Sequence, residues 1–174
     1  MCSTGDPLLR PQDIVLACEI AARGDAAWSA ASLRDTLGLS TTEVYNALRR
    51  CREAGLLGDS SGQLFGGRLL ELLVHGVRYV FHAKLGPPRR GIPTGGSSPF
   101  LGDELGESQG QALVWESPQG EIVGTTVQPL YKTVPEACLR SPGLYEILAL
   151  VDAIRVGRTR ERQKARERLQ EILG

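Results

Sequence analysis

Apolar residues recur at helical spacing along both ends of the chain and give way to irregular stretches in the middle. Between Pro11 and Ala22, the positions Ile14, Cys18 and Ala21 or Ala22 form one stripe, which predicts a first helix. Pro11 suits its first turn, Asp13 suits the positive end of its dipole, and Gly24-Asp25 breaks it. Leu33 and Leu37 lie four apart in a second, shorter helix that Ser29 can cap. Gly38 follows, where a helix ends cheaply in a left-handed residue. Ser40 with Glu43 three positions later is a capping-box pattern, and Val44, Leu48 and Cys51 line one face of the third helix, which Gly55 ends.

The rest of the chain is less regular. Leu57 to Phe65 encloses a Gly/Ser turn between apolar ends, a short hairpin signal. Arg68 to Phe81 is dense in apolar residues and predicts a largely buried helix. Lys84 to Gly110 holds several prolines and many glycines and reads as a long irregular loop. Ala112 to Trp115 and Glu121 to Val127 are strand candidates joined by Ser-Pro-Gln-Gly, a turn sequence. Pro135 to Leu139 predicts a single helical turn. Pro142 opens a helix striped by Leu144, Ile147, Leu148 and Val151, Gly157 interrupts it, and Arg158 to Leu173 forms a last helix rich in Arg and Glu.

The order helix, S-A-A-S-L-R-D-T-L-G-L-S, T-T-E-V-Y-N-A-L-R-R, A-G-L-L, then an extended return resembles a winged helix-turn-helix domain of the MarR-like kind over roughly residues 8 to 70. The resemblance implies a helix offered to the DNA major groove. The expected fold is α+β, mainly α: a winged helix-turn-helix over 8–83, a Pro/Gly-rich irregular loop over 84–110, and a β-hairpin with helices over 111–174 for dimerisation or sensing.

With Val44, Leu48 and Cys51 facing inward, the 100° step per residue turns Thr42, Asn46 and Arg49 outward, with Tyr45 beside them. Asn pairs bidentately with adenine and Arg with guanine. Thr41 and the amides of the helix start can hold a phosphate, and Arg50 adds charge. Arg89 and Arg90, in the proline-rich loop, form a candidate basic arm for a minor groove. The candidate DNA-binding set is therefore Thr41, Thr42, Tyr45, Asn46, Arg49, Arg50, Arg89 and Arg90.

Composition narrows the function. The formal net charge is zero, which argues against a non-specific nucleic-acid coat but leaves room for a site-specific reader. No apolar run is long enough to span a membrane. The N-terminus lacks the basic-then-apolar order of a secretory signal, and Cys18 and Cys51 fall on helix faces expected to be buried as free thiols, so a reducing cytoplasm is expected. Cys2, Cys18, Cys51 and Cys138 are too scattered for a zinc site. His75 and His82 lie two helical turns apart, and no nucleophile elbow or phosphate loop is present. Neither catalysis, metal nor cofactor is expected. The leading expectation is a homodimeric repressor that binds double-stranded DNA. The alternatives are a winged-helix module that binds a protein partner, as an adaptor or antitoxin-like subunit, and a small-molecule sensor. The sensor's pocket would lie between Arg68–Phe81 and the C-terminal region, with Trp115 and Tyr131 lining it.

Overall fold

The computed structural model describes residues 8–59, 62–102 and 111–174. Helix α1 (Pro11–Arg23) starts where the sequence places it, with the Arg10 amide donating to Asp13 Oδ2 at 2.8 Å. Its burial is broader than a stripe, because every residue from Asp13 to Ile20 is buried. The helix is packed by α3 (Thr41–Glu53) and by α7 (Pro142–Val156). Helix α2 (Ala30–Leu37) precedes α3, and the turn between them is Gly38, Leu39 and Ser40. Gly38 adopts φ 65°, a left-handed conformation that an L side chain strains to reach.

After α3 the chain makes a minimal hairpin: Leu57 bridges Leu64, and the Gly58 amide donates to the Gln63 carbonyl at 2.8 Å. Helix α4 (Gly66–Glu71), a π-helical turn (Leu72–Gly76) and α5 (Val77–Val80) then run on continuously. This segment is less buried than its composition predicts. Leu69, Leu73 and Val77 face the core, while Tyr79 and Val80 stand exposed.

The middle of the chain departs most from expectation. Within the presumed irregular loop, Leu85–Pro93 is a strand, β1. It pairs antiparallel with β2 (Leu113–Glu116) and with β3 (Ile122–Val127), and β2 and β3 pair parallel to each other, so the three-stranded sheet closes on itself. The expected strands are present, but they do not form a hairpin. Pro87 sits at the register shift between Gly86 and Pro88, a place where a missing N–H costs no ladder bond. Gly91 lies opposite both Glu116 and Ile122. A Cβ there would collide with the Trp115 carbonyl, so the sheet can close only around a glycine.

Helix α6 (Val134–Arg140), longer than a single turn, leads into α7, and α8 (Thr159–Leu173) follows Gly157. Ser141 caps α7 by accepting from the Leu144 amide. Helix α7 is buried continuously from Ile147 to Arg155, as befits a central core helix. Its apolar stripe is thus consumed within the chain and is not available to a second copy. Asp152 Oδ2 accepts from Trp115 Nε1 at 2.6 Å and from the Thr94 hydroxyl at 2.9 Å, and Oδ1 accepts from Arg155 at 2.7 Å. Arg155 also donates to the carbonyls of Phe81 and Gln128. One buried ion pair therefore fastens the sheet and the end of α5 to the central helix. A single apolar cluster includes residues from α1 through α8.

The fold is α+β and mainly helical. Among the described residues, no helix is long and apolar enough to cross a membrane.

Candidate nucleic-acid interface

Helix α3 is held at both ends and along its inner face. At its start, Ser40 Oγ accepts from the Glu43 amide at 3.2 Å while Glu43 Oε2 accepts from the Ser40 amide at 2.8 Å, a reciprocal cap. The second Glu43 oxygen accepts from the Tyr131 hydroxyl at 3.1 Å. The Ser40 backbone and hydroxyl, followed by Tyr131, hold the Glu43 carboxyl below its usual range. Val44, Ala47, Leu48 and Cys51 are buried against the core. Burial pushes the Cys51 thiol up to about 12, so it packs as a small apolar group.

The outward face carries what the 100° step predicts. Thr41, Thr42, Tyr45 and Arg49 are exposed, and Asn46 is half-buried among them. Arg49 pairs with Glu53 at 2.9 Å, with both side chains about half exposed. Such a surface pair is worth only ~0.3–0.5 kcal/mol, so the guanidinium is readily released to a better acceptor.

Arg50 does not belong to this face. It is 4% exposed and donates twice to Asp13, at 2.7 Å from Nε and 2.7 Å from Nη2. Arg50 lies only six positions beyond Val44, and that arc of the helix turns it toward α1. Its role is to lock α3 onto α1, in the bidentate geometry that guanidinium and carboxylate favour. Arg89 and Arg90 are exposed, but they are consecutive residues of β1 and not a flexible arm. Arg89 lies 4.0 Å from Glu116, and Arg90 donates to the Gly120 carbonyl at 3.5 Å.

Sequence reasoning missed the brace on the α2–α3 corner. Arg140 donates to the Thr36 carbonyl at 3.1 Å, and Thr133 packs beside Gly38. With Tyr131, these residues press the segment 131–140 against the corner and leave the exposed cations Lys132 and Arg140 beside the start of α3. The Tyr131–Glu43 contact spans 88 positions, and no local pattern announces it. The described part of the hairpin after α3 presents Asp59 and no Lys or Arg.

Trp115 and Tyr131 do not share a pocket. Trp115 is buried on Asp152 and Tyr131 serves the corner. Among the described residues, no group of three or more His, Cys, Asp or Glu side chains is arranged to hold a metal ion. Compared with known proteins, the chain matches no family model, no curated protein and no solved structure.

Proposed function

We propose that this protein is a sequence-specific reader of double-stranded DNA, a transcriptional regulator of winged helix-turn-helix type that acts in the cytoplasm as a homodimeric repressor. One observation carries the reading: a helix fixed from behind by Arg50–Asp13 and from its N-terminus by Glu43–Tyr131 presents Thr41, Thr42, Tyr45, Asn46 and Arg49 outward. These side chains suit base edges and phosphates, and a clamped helix presents them at little entropic cost. Lys132 and Arg140 supply phosphate contacts at the flank. The buried thiols of Cys18, Cys51 and Cys138 fit a reducing compartment. The dimer is proposed from the two-fold symmetry of helix-turn-helix operators. A surface for it is offered by Val80 and Leu85, which are 63% and 58% exposed between α5 and β1.

A second reading, a module that binds a protein partner, is favoured by the hairpin that carries Asp59 where a DNA-binding wing carries cations. An open groove of about 740 Å³ beside it, lined by Trp28, Leu64 and Ile172 together with Asp25, Arg52 and Gln63, offers mixed polar and apolar contacts to such a partner. Selection of duplexes from a random library separates the two. Enrichment of a defined motif supports the DNA reader, and a flat outcome supports the partner module.

A further inference from the structure

Helix α8 runs antiparallel to the α4–α5 segment, with Leu173 against Gly66 at one end and Thr159 near Tyr79 at the other. Between them lies a groove of about 260 Å³ whose walls carry His75, Arg78 and Tyr79 on one side and Thr159, Arg162 and Arg166 on the other. It continues past Arg166 into a second hollow of about 170 Å³, where Glu71 is the lining carboxylate. Three arginines facing one concavity repel one another, and in the first hollow no carboxylate lines the wall to offset them.

The three are not equivalent. Arg162 is pre-oriented, donating to the Gly157 carbonyl at 2.7 Å and to the Thr159 hydroxyl at 3.3 Å. The Arg78 guanidinium rests 5.4 Å from the centre of the Tyr79 ring. Among the described residues, none accepts a hydrogen bond from Arg166. Two other cations of α8 have carboxylate partners: Lys164 pairs with Glu167, and Arg168 with Glu171 and with Glu146 of α7. The groove thus brings three arginines to a lining that holds no carboxylate. Arginine forks suit phosphate oxygens, and the 74% exposed Tyr79 ring at the rim offers a face for a flat group.

We propose that this groove binds the phosphate group of a small phosphorylated molecule. A groove of about 260 Å³ between two helices is sized for a small ligand and not for a duplex, whose phosphates run along a much longer surface. The site lies on elements other than α3 and does not depend on the DNA reading.

The test is titration calorimetry of the full chain with inorganic pyrophosphate at low salt, with adenosine as the uncharged comparison. One pyrophosphate per chain should bind and adenosine should not. Each lost charge-assisted contact should weaken binding about tenfold, so Arg78→Gln with Arg166→Gln should cost that much or more. Arg160→Gln, one charge lost outside the groove, should leave affinity unchanged, whereas Arg166→Gln alone, one charge lost inside it, should weaken binding. Should the double variant fold poorly, amide shifts in the wild-type protein provide the second measurement. Pyrophosphate should then move Val74–Tyr79 and Thr159–Arg166 and little else. Absence of binding at millimolar pyrophosphate, equal weakening by Arg160→Gln, or shifts centred elsewhere would each overturn the proposal. So would a double variant that loses duplex affinity while the wild type ignores pyrophosphate, because that assigns the groove to a nucleic-acid backbone.

Discussion

Neighbouring arginines on α3 have opposite fates. Arg50 is buried against Asp13, and breaking a buried pair strands a charge in the interior at a cost of ~3–5 kcal/mol. Arg50→Ala should therefore lower the urea midpoint sharply, while Arg49→Ala should shift stability by less than ~0.5 kcal/mol. Chemical unfolding of the two variants checks both. Glu43 adds a pH dependence. Its carboxyl is held below the usual range in the folded chain by the Ser40 and Tyr131 donors. That contribution is therefore complete above the ordinary glutamate value and disappears as pH falls through the lowered one. Unfolding curves recorded down an acid series should lose this component in Glu43→Gln. The buried thiols make a third expectation. Burial raises Cys18, Cys51 and Cys138, so thiol reagents should not modify these three until denaturant is added, as mass spectrometry of digests will report.

Whole elements show which patterns the chain announces. Helices α1, α2 and α3, both caps and the Gly38 turn are legible because each rests on residues within four positions of one another. So are α7, α8, β2 and β3, to within a residue or two. Strand β1 is not legible, since its prolines and glycines mimic a loop. What makes it a strand is closure with β2 and β3, a contact between distant segments. The outward strip of α3 is legible for the same local reason as the helix itself. The inward turn of Arg50 and the Tyr131–Arg140 brace depend on partners far away in sequence. The closure can be tested by a pair of glycines. Gly91→Ala must push a Cβ into the Trp115 carbonyl and should cost about 2 kcal/mol or more. Gly67, in α4, has open space at its Cβ, and Gly67→Ala should be neutral or stabilise by up to ~1 kcal/mol. Thermal melts should show a lowered midpoint for Gly91→Ala and an unchanged or raised one for Gly67→Ala.

At the scale of the molecule, the chain uses its charge sparingly. Its formal net charge is zero, and its cations are spent on buried locks, on surface pairs, on the α3 flank and on the α8 groove. A reader built this way should bind DNA through a few placed contacts. Lys132→Ala should weaken binding to all sequences alike and flatten the salt slope by about 0.9, as fluorescence anisotropy over a salt series will measure. The proposed function requires that α3 contact base edges. Its most direct test is selection of duplexes from a random library by the wild-type protein and by Arg49→Ala in parallel. A two-fold symmetric motif is expected for the wild type, with ~1–3 kcal/mol less discrimination at one base pair of each half-site for the variant. No enriched motif, or the same motif with undiminished discrimination in Arg49→Ala, would contradict it.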